Sequence, residues 1–221
     1  MEALPTRYNF INCTLVPAVQ SKFSRFGGND GRKRIIFSSY NDYALGPSIR
    51  IRRHLKQTDD SWRVDETYIK VKGQWVYLYR AVDSEGNTID FYLSKTRNHK
   101  AAKRFFKKDL QSFHVSKSRT ITIDKNPAYP VAITKLKSEK KAPLGTQIRQ
   151  IKYLNNVVEQ DHRFIKKRVR SMLGFKSFGT ATCILVGVEA MHMIKKEQVD
   201  LRDQSVQNQK EFIHQLFGLT A

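Results

Sequence analysis

The sequence predicts an α/β domain, a mixed five-stranded sheet flanked by helices, behind an irregular N-terminal segment. Three observations predict it. Three β-rich runs separated by turn signals follow one another from about Ser61. Helical and strand periods then alternate as far as about Lys196. Residues 1 to about 48, with Pro5, Pro17 and the cluster FGGNDGRKR, sustain neither period.

The elements follow in order. WRVDETYIKVK alternates apolar with polar and is rich in β-branched and aromatic residues, so it reads as a strand. Gly73 marks a turn, WVYLYRAVDS is a second strand, SEGN a hairpin signal and TIDFYLSKT a third strand. In NHKAAKRFFKKDLQ, Asn98 can cap a helix whose Ala102, Phe105, Phe106 and Leu110 fall at helical spacing. RTITID is a fourth strand that stops at Asp124, where Asn126 and Pro127 deny it continuation. A short helix over 128–137 tolerates Pro130, and IRQIKYL is a fifth strand. Asn155 or Asn156 opens a long helix to about Leu173, lined on one face by Val158, Ile165, Val169 and Met172. A last helix over about 181–196 turns Ile184, Val188 and Met191 inward.

Composition narrows the partner. Forty Lys and Arg against twenty Asp and Glu leave a formal charge of +20, which asks for a polyanion, nucleic acid by default. A basic ribosomal or membrane-surface protein is the alternative on charge alone. Two cysteines, Cys13 and Cys183, form neither a disulfide framework nor a zinc spacing. The start MEALPTRYNF has no secretory pattern, and the longest apolar run, CILVGV, is too short to span a bilayer. A soluble, cytoplasmic protein is expected.

Three antiparallel strands, a helix, a strand, then a further strand and helix is the order of a ribonuclease H-like fold. In that order Asp65 lies on the first strand, Asp124 ends the neighbouring fourth, and Glu159 rides a later helix. Three acids in one place suit a shared divalent metal, because each supplies the hard oxygen that Mg²⁺ takes. Paired ions of that kind clamp an in-line phosphoryl displacement. Arg163, Lys166 and Arg170 follow Glu159 by four, seven and eleven residues and make a basic helix face suited to DNA phosphates.

Singly, each acid also has a structural reading. Glu66 is an equal candidate to Asp65, and strand alternation places the two on opposite faces, so that only one is expected in the site. Asp124 can cap the segment after its strand, and Glu159 can pair with Arg163 one turn on. His162 is a candidate for a phosphate contact, with a solvated helix residue as its alternative. Trp75, Tyr77, Tyr79 and Tyr92 are candidates for base stacking, although strand aromatics more often belong to a core.

The segments WRVDETYIKVKGQWVYLYRAVDSEGNTIDFYLSKTRNHKAAKRFF, TIDKNPAYP and IKYLNNVVEQDHRFIKKRVRSMLGFKSF resemble the DDE transposases of bacterial insertion sequence six elements. The resemblance runs from about Ile49 to the C-terminus. It implies a ribonuclease H-like catalytic domain with Asp65, Asp124 and Glu159 as catalytic and metal-binding residues. Residues 125 to 158, 34 in all, separate the last two, as the family pattern asks. It further implies two Mg²⁺ ions, with Mn²⁺ as a substitute, and double-stranded DNA as partner, both the element's terminal inverted repeats and the target. Arg163, Lys166, Lys167, Arg170 and His162 would meet that DNA. A homo-oligomer working at the bacterial nucleoid, and no membrane, complete the expectation.

The departure from the family lies in residues 1–48, where a helix-turn-helix is expected and no helical pattern stands. One permitted set of codons for residues 28–40, read one nucleotide forward, gives Glu-Met-Met-Glu-Glu-Arg-Gly-Leu-Ser-Leu-Ala-His, an amphipathic helix and a turn. Residues 1–48 are therefore expected to be an out-of-frame, disordered segment. A linker over 49–60, the catalytic domain over 61–200 and a partly helical tail over 201–221 complete the division. Two functions stand: a transposase of DNA strand cleavage and transfer, and a truncated remnant that binds DNA or interferes with intact transposase.

Overall fold

In the computed structural model, residues 50–217 are described, apart from 113, 125, 152–154, 173, 202 and 204, and all of them fall within one compact unit. The expectations for residues 1–48 lie outside the described residues.

Five strands form one sheet: β1 (Ser61–Val71), β2 (Gln74–Asp83), β3 (Thr88–Ser94), β4 (Thr120–Ile123) and β5 (Gln147–Gln150). Their order is β3-β2-β1-β4-β5. β1, β2 and β3 pair antiparallel, whereas β4 runs parallel to both β1 and β5. The mixed sheet and its order agree with the ribonuclease H-like expectation. β5 is shorter than expected, ending at Gln150, and the rest of the expected strand falls largely on 152–154, outside the described residues.

Local chemistry explains the turns. Lys72 and Gly73 both have positive φ, 50° and 77°, which is the two-residue hairpin geometry whose twist matches the strands it joins. Between β2 and β3, Asp83 accepts the backbone N–H groups of Glu85 and Asn87 at 3.0 and 2.8 Å, and Gly86 takes a φ of 89°.

Among the described residues, five helices run between or after these strands: α1 (His99–Leu110), α2 (Ala128–Ser138), α3 (Asn156–Ser171), α4 (Phe178–Lys195) and α5 (Val206–Phe217). Asn98 caps α1 by accepting the Ala101 N–H at 2.9 Å, as its sequence position promised. Pro130 lies in the first turn of α2, where a missing N–H costs no helical bond. Ser177 caps α4 through the Thr180 N–H at 3.1 Å, so this helix starts three residues earlier than its apolar pattern suggests.

The sheet is covered on both faces. Trp62 and Val64 of β1 pack with Phe105 and Phe106 of α1 and Tyr129 and Ile133 of α2. Ile69 and Val71, of the opposite parity, pack with Ile165 and Val169 of α3 and Leu185 and Val188 of α4. A third cluster joins Ile51 and Leu55 to Met193, Ile194, Val199, Phe212 and Leu216. Met191 is not turned inward as expected but is 37% exposed, and Ile184 is half-buried. The reason is polar: Glu189 and His192 occupy the core-facing stripe of α4, and Met191 falls beside it. No described helix is long and apolar enough to cross a membrane.

The Asn98 cap is separable from this packing because its side chain is only half-buried. Asn98→Ala is expected to lower stability by about 1 kcal/mol, and Asn98→Asp to preserve it, in urea unfolding followed by circular dichroism.

Candidate active site

The site grows from the register of two parallel strands. β1 and β4 pair from Ser61↔Thr120 to Val64↔Ile123, so the next residues along are Asp65 and Asp124. β4 ends there because the Asp124 carboxylate accepts the Asn126 N–H at 2.9 Å and turns the chain. Asn126 in turn accepts the Ala128 N–H at 3.0 Å and starts α2. Carboxylate oxygens of Asp65, Glu66 and Asp124 lie within 4.8 Å of one another. Among the described residues, this is the group of acids, histidines or cysteines close enough to share a metal ion.

Glu66 corrects one expectation. Alternation does send the two neighbours apart, Asp65 toward α3 and Glu66 toward α2. Beyond the end of β4, however, both side chains reach the same space beside Asp124. Glu66 is already held from three sides: it accepts from Arg97 Nε at 2.6 Å, from Asn126 Nδ2 at 2.9 Å and from the Tyr129 hydroxyl. Burial first, then the Glu66 charge, pushes the Tyr129 phenol well above its ordinary value and raises Tyr79 to about 12. Both phenols keep their protons. The sequence carried a signal for this in NPAY, whose Asn and Tyr are the two donors on the α2 side.

α3 supplies the other side. His162 is buried, with Nε2 3.4 Å from an Asp65 carboxylate oxygen. That distance is long, and neither ring nitrogen has a hydrogen-bond partner among the described residues. Burial lowers the imidazole's pKa against the opposing pull of Asp65, so His162 is a neutral group facing the acids and not a solvated helix residue. Glu159 stands one turn earlier on α3, is exposed, and lies outside the trio of converging oxygens. The remaining predicted residues gather farther along the helix. Arg163, Lys166, Lys167 and Arg170 line an open groove of about 580 Å³.

What the sequence reading missed is the ion network beneath α3. Arg80, the register partner of Asp65, is fully buried. It donates from Nη1 to the Asp161 carbonyl at 2.9 Å, and from Nη2 to the Asp161 and Glu189 carboxylates at 3.0 and 2.9 Å. Lys196 Nζ donates to both Asp161 oxygens at 2.7 and 2.9 Å, and His192 Nε2 lies 3.1 Å from one of them. Burial pushes Asp161 up, yet His192, Arg80 and Lys196 together hold it well below the ordinary carboxylate range. Glu189 goes the other way: burial outweighs Arg80 and raises it to about 7.

Strand order, and paired acids where parallel β4 ends against the middle of β1, agree with a ribonuclease H-like domain carrying a carboxylate site. The family described as "DDE domain" matches residues 59–198. Over 136 residues the chain is 40% identical to the transposase for insertion sequence-like element IS431mec of Staphylococcus aureus, and equally to that for insertion sequence element IS257 in transposon Tn4003 of the same species. Each match covers 62% of this chain and 58% of the relative's length. Among solved structures, the trimeric form of the HTLV-2 integrase catalytic core domain in complex with magnesium aligns with a TM-score of 0.47 at 15% identity, over 70% of this chain and 96% of that one. The chain belongs to the DDE domain family, and its resemblance to insertion sequence six transposases is borne out.

Glu189 yields a pH prediction. A carboxyl raised from 4.5 to about 7 contributes stability that is present below its unfolded value and lost as pH rises through 7. Glu189→Gln fixes the neutral form, so the variant is expected to gain on the wild type between about pH 5 and pH 8, by at most on the order of 3 kcal/mol. Burial lowers His114, His162 and His192 in both proteins, so their opposing trends cancel in the difference. Parallel urea titrations at the two pH values check it, and a constant gap would refute it.

Proposed function

We propose that this chain is the catalytic part of a transposase that cuts DNA at the ends of an insertion sequence and joins the freed 3′-OH to target DNA. The observation that carries the reading is the convergence of Asp65, midway along β1, with Asp124, just past the end of parallel β4, in a chain of the DDE domain family. Glu159 completes the triad in this reading. It sits on α3 one turn before His162, which faces Asp65, and i, i+3 residues share a helix face.

The donor set fits a hard divalent cation, since every acid in it offers carboxylate oxygen. Asp65, Asp124 and Glu159 would hold two Mg²⁺ ions, with Mn²⁺ as a substitute; such ions supply charge stabilisation to the attacking and leaving oxygens of an in-line displacement. Glu66, committed to Arg97, Asn126 and Tyr129, fixes the middle of β1 from the α2 side and is not assigned as a ligand. His162, buried with its Nε2 3.4 Å from Asp65, backs that carboxylate from the α3 side. Arg163, Lys166, Lys167 and Arg170 line the groove farther along α3 and hold the phosphate backbone of double-stranded DNA, both terminal inverted repeat and target.

Joining two element ends to one target asks for more than one copy, so a homo-oligomer is part of this proposal. The setting is the bacterial cytoplasm, at the nucleoid when bound. The division into residues 1–48, a 49–60 linker, a 61–200 catalytic domain and a 201–221 tail is proposed with it.

Asp65→Asn, Asp124→Asn and Glu159→Gln are each expected to lower metal-dependent strand transfer at least ~100-fold on a pre-cut oligonucleotide carrying the element end, with unchanged circular dichroism. Each amide keeps the shape and loses the anionic oxygen. A variant with near-full activity would remove its residue from the triad; wild-type binding with no metal-dependent transfer would leave a DNA-binding remnant.

Duplex affinity is expected to fall steeply with salt, log K against log salt having a slope of about −4 if the four groove cations each meet a phosphate. Arg170→Ala should reduce that slope by about 1 across unrelated sequences. Salt-insensitive binding would refute the groove assignment.

A further inference from the structure

The basic groove continues into an aromatic end that the triad does not use. Tyr68 of β1 and Trp75 of β2 are 55% and 56% exposed, their rings edge-to-face at 5.1 Å. Tyr79, by contrast, is wholly buried, and Tyr77 and Tyr92 pack partly against the core. A lysine lies over each exposed ring: Lys166 Nζ is 5.2 Å from the centre of Tyr68, and Lys70 Nζ 4.9 Å from that of Trp75. The two rings, Lys70, Lys166 and Arg170 border a cavity of about 360 Å³, and Lys166 and Arg170 also line the larger groove. None of the residues lining either space is acidic.

Isolated exposed aromatics are ordinary. Here two are adjacent, both carry cations, and both continue a surface of one charge sign. That combination matches a ligand with π-faces and regularly spaced anions, a nucleic-acid strand. A base within a duplex is stacked on its neighbours and offers no free face, so the aromatic end suits unpaired nucleotides.

Position narrows it further. Tyr68 lies three residues beyond Asp65 on β1, about 10 Å at ~3.3 Å per residue, or roughly three duplex steps. α3 runs alongside: His162 faces Asp65, Lys166 covers Tyr68 one turn later, and Arg170 borders the same cavity as Trp75 one turn beyond. We propose that Tyr68 and Trp75 form a stacking platform for unpaired nucleotides of a DNA strand whose phosphates lie on Lys166 and Arg170. Its role beside a cut element end rests on the transposase reading; its preference for unpaired DNA does not.

The protein carries its own reporter. Of its two tryptophans, Trp62 is fully buried, so quenching of emission by an added oligonucleotide reads Trp75. The full chain, in chelator without added metal, is titrated with a short oligothymidylate and with a blunt duplex of equal length. Oligothymidylate is expected to quench the wild type; by fluorescence anisotropy of labelled DNA, Trp75→Ala should weaken single-strand affinity by about 10-fold and blunt-duplex affinity by less than ~2-fold, with Trp75→Phe close to wild type. Equal loss on both DNAs would reduce the patch to charge alone. Unchanged single-strand affinity, or sedimentation showing that Trp75→Ala dissociates an oligomer, would overturn the platform. A chain inactive in strand transfer that still passes this test sinks the transposase reading and leaves the platform standing.

Discussion

Arg80 is a guanidinium with no exposed surface, placed on β2 directly opposite Asp65. Removing such a group from water costs several kcal/mol unless it is paired with good geometry. Both of its carboxylate partners sit on helices, Asp161 on α3 and Glu189 on α4. The two helices therefore have one rotation and one height over the sheet at which both carboxylates reach the same Nη2 of the buried charge. Lys196 and His192 draw Asp161 to the same point, and the Arg80 bond to the Asp161 carbonyl ties the α3 backbone itself. Such a network need not add net stability, and Arg80 Nε and Glu189 Oε1 have no partners among the described residues. Its effect is to specify one arrangement out of several that apolar packing alone would tolerate.

The site inherits that arrangement. His162 follows Asp161 directly, so fixing Asp161 over Arg80 aims His162 at Asp65. Glu159 and the cations of α3 then take their places by helical spacing. The opposite face works independently: Asn126 and Tyr129 start α2 and hold Glu66, which follows Asp65 on the same strand. Two successive residues of β1 are thus fixed by elements on opposite sides of the sheet. The parallel pairing of β1 with β4 brings Asp124 to meet them.

Local patterns carried most of the fold and the meeting of Asp65 with Asp124. Alternation in β1, the Asn98 cap and the NP break after Asp124 each act within a few residues, so they were legible. Alternation also predicted that Asp65 and Glu66 point apart; what it did not contain is where β4 ends, and that decides how far both carboxylates reach. The Arg80 network spans 81 and 109 residues of chain, and no local period signals it. Reading α4 by its apolar residues turned Met191 inward, because a buried Glu189 looks like surface until its partner is known. Trp75 was legible as an aromatic but not as an exposed one, since exposure depends on how α3 passes the β1–β2 hairpin.

The unequal lengths of β1 and β4 have a colloidal consequence. β4 stops beside Val64, while β1 runs on to Val71, where a bridge to Phe175 closes the gap. Between these points no described strand pairs with that side of β1. An unpaired strand edge is a template on which another chain can add by backbone hydrogen bonding. Here Asp65 guards one end and the exposed Lys70 the other, and a second strand would have to take both charges from water to dock. The Asp65 carboxylate of the proposed metal site thereby has a second effect, opposing growth of the sheet into a neighbour.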